Sequence, residues 1–249
     1  MARYFIEVAY KGSKYSGFQV QENSDTIQGR VESAILILCK EKMELTGSSR
    51  TDAGVHALQN FFHVDTDLPF AQQHIYKLNA LLPNDIAIKG IYQVASTAHA
   101  RFDALGRAYE YRIYQQKNPF LVDVAYFMPY PINRQLLNEA AEIVLQQRDF
   151  TSFCKKNAQV FTYECTIHQS VWQQKEDYIT FNIQGNRFLR GMVRGLVATM
   201  LRVGKGQLSI QDFQAIFSAK NCNKAFFDAP GQGLFLQQVI YPQGHMLAV

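Results

Sequence analysis

The chain has 249 residues, 47% hydrophobic and 18% charged. That is enough to bury one large or two small cores, with no charged or low-complexity tract that would stay disordered. No run of about 18 uncharged apolar residues occurs, and the opening MARYFIEVAY alternates in character, so neither a membrane span nor a secretory signal is expected. The net charge of +4 is mild but uneven, with 10 basic against 11 acidic residues over 1–103 and 15 against 10 over 104–249. The excess is densest between Gly185 and Gly206, where Arg187, Arg190, Arg194, Arg202 and Lys205 occur without an acid. A local basic surface of this kind suits a polyanionic partner, and a solvated helix face would look the same. The four cysteines, at 39, 154, 165 and 222, form no C-x-x-C pair, and the six histidines are scattered. No metal or other cofactor is expected, and reduced thiols in a cytoplasmic protein are the default.

In chain order, Tyr4, Ile6, Val8 and Tyr10 alternate as in a strand. A Gly/Ser-rich loop, KGSKYSG, follows. Asp25 and Gln28 then have capping-box spacing ahead of a helix with Ile27, Val31, Ala34, Ile35 and Leu38 on one face. After the loop GSSRTDAGVHA come a strand at about 59–64, a helix at about 71–82 stopped by Pro83, and a strand over 86–94. The second half repeats the order. It has a strand over 108–114, a helix capped by Asn133 with Leu136, Leu137, Ala140, Ile143 and Val144 inward, and strands at about 162–173 and 178–184. A helix over 187–203 stopped by Gly204, a helix capped by Ser209 and Asp212, and a strand over 234–240 complete it. The strands are interrupted by polar positions, which favours an α+β fold of two similar subdomains, 1–104 and 105–249, with mainly antiparallel sheets flanked by helices.

The stretch Gly47–Ala57 carries the most chemical information. Its glycines and small residues let the chain turn sharply around Arg50-Thr51-Asp52. An arginine two residues before an aspartate favours its charged form, and a desolvated carboxylate is a competent nucleophile or base. A loop salt bridge or an Asx-turn would use the same residues. Tyr109 and Tyr111 share one face of their strand and could be core aromatics, or could stack on a base. Drawn as a helix, Arg187, Arg190 and Arg194 fall within about a 60° arc.

RTDAGVHA resembles the signature of the tRNA pseudouridine synthase A family. YKGSKYSGFQVQ is similar to its Y-D-G-x-x-F/Y-x-G-W-Q-x-Q segment, with Lys11 in place of Asp and Phe18 in place of Trp; these departures fall in a loop whose role stays open. LNALLPNDIAI, AHARFDALGRAYEYRI, DFTSFCK and FLRGMVR also resemble family segments, so the likeness runs from residue 10 to about 206. The resemblance implies the pseudouridine synthase fold and a cofactor-independent isomerase acting on uridines 38–40 of the tRNA anticodon stem-loop. It further implies a homodimer whose cleft uses both subunits. It makes Asp52 the catalytic residue with Arg50 its neighbour, puts the active-site tyrosine at Tyr109 and an active-site arginine at Arg194, and leaves Tyr111 to packing. Arg50, Arg107, Arg187 and Arg190 are expected RNA contacts, and Lys155, Lys156, Arg101 and Arg112 weaker candidates for that role. Two other readings remain: an RNA-binding module without catalysis, and a phosphatase built on the D-x-D of FHVDTDLP (62–69).

Overall fold

The computed structural model describes residues 1–156, 158 and 160–249. The chain divides into two compact units, residues 1–105 together with 236–249, and residues 106–235.

The first unit is built on β1 (Ala2–Tyr10), whose apolar positions are buried along nearly its whole length. It lies between β3 (His56–Thr66) and β4 (Ile86–Val94), antiparallel to both. A two-residue strand, β2 (Thr46–Gly47), pairs with β3, and β10 (Leu247–Ala248) pairs with β4. Helix α1 (Ile27–Cys39) buries Ile27, Val31, Ala34 and Ile35, and α2 (Gln72–Leu81) buries Leu78. The cap of α1 is one residue later than the spacing predicts. Thr26 accepts the Gly29 N–H, while Asp25 pairs with Arg30 and Gln28 reaches Glu32 and the Leu45 carbonyl. Helix α2 ends at Leu81, ahead of Pro83.

The second unit pairs β5 (Gly106–Tyr114) with β8 (Ile179–Gly185), and β8 with β7 (Ile167–Gln174), all antiparallel; the short β6 (Tyr126–Phe127) runs parallel to β5. Strand β7 begins five residues later than expected, and the segment before it forms only the Asp149–Glu164 bridge. Helix α3 (Arg134–Gln146) is capped by Asn133, which accepts from Gln135 N–H and Leu136 N–H. It buries Leu137, Ala140, Ala141 and Val144. Helix α5 (Ile210–Ala219) is capped by Ser209, which accepts from Asp212 N–H and donates to its carboxylate. Strand β9 (Leu234–Ile240) crosses the boundary between the units in sequence.

The departure that bears most on the arginines is α4, which runs Met192–Gly204 rather than from 187. Gly191 precedes it with φ +72°, and a Cβ there would stand 2.8 Å from Cγ of Lys155. The chain therefore turns at Gly191 in a conformation side-chain-bearing residues rarely adopt. Arg187 and Arg190 lie in the loop before the helix and share no helical face with Arg194. Gly191→Ala should lower stability by about 1–2 kcal/mol through left-handed strain and displacement of Lys155, read as a fall in Tm.

Candidate active site

Asp52 lies between β2 and β3, half-buried, and its loop is fixed from several directions. Buried Asn60 on β3 donates to the Ser49 carbonyl (2.9 Å) and to the Tyr10 hydroxyl (3.1 Å). Its own oxygen accepts from Phe61 N–H and the Ser48 hydroxyl. Tyr10 in turn shares a 2.8 Å hydrogen bond with the Thr51 hydroxyl. Val55 N–H donates to the Asp52 carbonyl at 3.2 Å, which closes the turn.

The KGSKYSGF segment braces this turn. Phe18 N–H donates to the Thr51 carbonyl and Gly54 N–H to the Tyr15 carbonyl. A Cβ at Gly12 would come 2.0 Å from the Val55 carbonyl oxygen, so the two loops touch backbone to backbone. Phe18 stacks on Phe62 (4.6 Å, 13° between planes). A Cβ on Gly47 would meet the Phe18 ring at 2.2 Å, so this aromatic fills the space beneath the loop. The LNALLPNDIAI segment acts through the same brace. Asp85 accepts from the Tyr15 hydroxyl at 2.5 Å, and Asn79 bonds both the carbonyl and the N–H of Ile88. Burial, together with Asp85, pushes the Tyr15 hydroxyl well above its ordinary pKa, so it remains a donor. Tyr10, Asn60 and His56, whose Nδ1 accepts from Gly12 N–H, were not singled out from sequence. A polar Asn inside an apolar strand was the one available signal.

Arg50 is exposed. Beyond it, the turn His99–Asp103 is tied down: His99 Nδ1 accepts from Arg101 N–H and Phe102 N–H, and the Asp103 carboxylate accepts from His99 N–H. His63 stands edge-on to His99 at 4.5 Å and accepts from Ala100 N–H. Burial, and then the neighbouring His99, pushes His63 down to about 4. Burial lowers His99 in the same direction. The unfolded chain, with histidines near 6.5, then binds more protons than the folded one below that pH. Stability contributed by neutral His63 is complete above pH 6.5 and is lost as pH falls toward about 4. Urea unfolding across that window should show the falling slope, and His63→Gln should lessen it; a flat profile would contradict this account.

In the second unit, Tyr109 is half-buried and meets Phe188 edge-on at 5.1 Å. Tyr111 is completely buried, donates to the Pro230 carbonyl at 2.8 Å and packs against Gly233. Arg194, in the first turn of α4, is half-buried and donates from Nε to the Ala229 carbonyl at 2.7 Å. Arg107 is 9% exposed and donates to the Asn186 carbonyl at 3.5 Å. Arg187 is half-buried and Arg190 exposed, with the Arg190 carbonyl accepting from Lys155 N–H. Arg202 is engaged by Asp228 through two 3.1 Å bonds and lies over the Phe226 ring. Arg112 is held by Glu110, which Lys175 also contacts, and lies over Phe235.

The D-x-D of FHVDTDLP makes surface ion pairs, Asp65 with Arg3 and Asp67 with the N-terminal ammonium, so the phosphatase reading has no site. Among the described residues no group of three His, Cys, Asp or Glu side chains could hold a metal, and no helix is long and apolar enough to cross a membrane.

Among the described residues, ten mostly antiparallel strands with five helices, and an aspartate on a braced loop, fit an RNA-modifying enzyme of the pseudouridine synthase fold. The sequence pattern of the family described as tRNA pseudouridine synthase matches residues 6–103 and 140–242. Relatives of similar length include the tRNA pseudouridine synthase A of Parabacteroides distasonis, 41% identical over 98% of this chain and 97% of that one. That of Azobacteroides pseudotrichonymphae is 42% identical over 97% and 98%, and that of Staphylococcus aureus 36% identical over 98% and 94%. The chain belongs to the tRNA pseudouridine synthase family, enzymes that isomerise uridine within RNA.

Proposed function

We propose that the protein converts uridines 38–40 of the tRNA anticodon stem-loop to pseudouridine, with Asp52 as the reacting carboxylate. The observation that carries this reading is the bracing of the Asp52 turn by Asn60, Tyr10 and the 12–18 loop, which holds a carboxylate in one place while leaving it half-exposed. The reaction breaks the N1–C1′ bond, turns the uracil and rejoins it through C5, so no atom is gained and no electron is transferred. No cofactor is needed for that balance. The uridine has to leave its stack to be reached. Asp52 starts the reaction at the ribose, as nucleophile at C1′ or as base at C2′. Tyr109, the half-buried tyrosine of its strand, holds the freed uracil, while fully buried Tyr111 packs the core. Arg194 supplies positive charge to the carboxylate or to a substrate phosphate. Arg50 fills the place of the everted base, and Arg187 and Arg190 contact phosphates; Arg107 has the least surface to offer in that role. The protein acts in the cytoplasm as a homodimer, which doubles the phosphate contacts available to a chain of only +4.

The test is nucleotide-resolution mapping of pseudouridine on unmodified tRNA transcripts, with sedimentation of the same preparation. Modification confined to positions 38–40 by a dimer is expected. Modification at other positions, or full activity from a monomer, would overturn the corresponding part.

A further inference from the structure

Next to the Asp52 loop, within the first unit, lies an open pocket of about 290 Å³ lined by Phe18, Gln19, Gly47, Arg50, Arg101 and Phe102 among others, with no acidic side chain among its described lining residues. Phe102 is 73% exposed, yet it is not a loosely held surface residue. Its backbone N–H is bonded to His99 Nδ1, its ring lies 4.3 Å from the His99 ring, and the Arg101 guanidinium is 5.5 Å from its centroid. The turn is closed by Asp103 N–H on the His99 carbonyl and His99 N–H on the Asp103 carboxylate. A flat aromatic face held in water by a fixed turn, beside two guanidiniums, matches a single-stranded nucleotide: a base for the ring and a phosphate for the cation.

We propose that this pocket receives a nucleotide of the RNA other than the target uridine, its base stacked on Phe102 and its phosphate held by Arg101. The inference rests on the assignment of Asp52, because Arg50, two residues away, is what ties the pocket to the substrate. Phe102 and Arg101 thereby act as a reading position for the sequence or flexibility of the loop that carries the target.

The experiment uses anticodon-arm RNAs in which the bases around the target are removed one at a time. For one position, the abasic RNA should lower kcat/KM of the wild-type protein by about 10-fold or more, the size of a lost base–aromatic stack. Phe102→Leu should show a similar loss on intact RNA and no additional loss on that abasic RNA, whereas Phe102→Trp should restore the sensitivity. Arg101→Gln should weaken binding and reduce the slope of log affinity against log salt by about one unit. Wild-type kcat/KM from Phe102→Leu on intact RNA, or undiminished abasic penalties at every position in that variant, would overturn the proposal. Equilibrium binding of the same RNAs to Asp52→Asn protein, with and without Phe102→Leu, reads the pocket without chemistry. Loss of coupling there refutes the pocket, while failure of the wild-type protein to form pseudouridine refutes the Asp52 assignment separately.

Discussion

Asp52→Asn should keep the fold and tRNA affinity while lowering the rate of pseudouridine formation by at least about 10²-fold and toward 10⁴-fold. The substitution is isosteric, and the turn depends on main-chain bonds and on Asn60, Tyr10 and Thr51, so the Val55 N–H bond to the residue-52 carbonyl survives. An amide can neither attack C1′ nor take a proton from C2′. The loss should therefore fall on kcat, with Kd for tRNA changed by less than about 3-fold, since affinity comes mainly from phosphate contacts. Single-turnover conversion followed with a base-specific chemical probe, beside equilibrium binding, separates the two quantities. Unchanged conversion by the variant would remove Asp52 from the mechanism.

Asn60→Leu should strongly destabilise the fold. The side chain has no exposed surface, and it satisfies the Ser49 carbonyl, Phe61 N–H, and the Tyr10 and Ser48 hydroxyls. Leucine has the same branched outline, is bulkier, and offers none of these bonds. Leaving even two of the partners buried and unpaired costs about 2–5 kcal/mol. Because the freed partners are Ser48, Ser49 and, through Tyr10, Thr51, the damage is transmitted to the Asp52 turn. Denaturant unfolding should show the stability loss. At temperatures where the variant remains folded, kcat should still fall by about 10-fold or more, since a small misplacement of the carboxylate is sufficient. Asn60→Asp, which keeps the acceptor but replaces the donating NH₂ with a buried charge, should not rescue it. A variant with wild-type kcat would mean that the Asn60 bonds are dispensable for positioning Asp52.

Much of the local structure was readable because it follows from neighbours in the chain. Asn133 and Ser209 cap their helices as the spacing predicts, since an Asn or Ser side chain needs only the N–H groups two or three residues ahead. The start of α4 was misread for an equally local reason. Residues 187–194 carry a helical repeat of arginines, but the backbone at Gly191 adopts φ +72°, which the periodicity of the neighbouring side chains does not reveal. At α1 the spacing points to Asp25, but its carboxylate pairs with Arg30, and Thr26, the next residue, caps the helix.

The sequence by itself determined the family, the loop that carries Asp52, the nature of the strands and most of the helix ends, because motif and periodicity act over a few residues. Three things were decided only by the tertiary structure. Residues 236–249 pack in the unit formed by residues 1–105 rather than with the half that precedes them. Asn60, Tyr10 and Phe18 converge beneath one turn from positions as much as 50 residues apart. Tyr111 is sealed in the core while Tyr109 keeps part of its surface. Burial and long-range hydrogen bonding depend on which distant segment arrives opposite a residue, and a pattern along the chain does not hold that information.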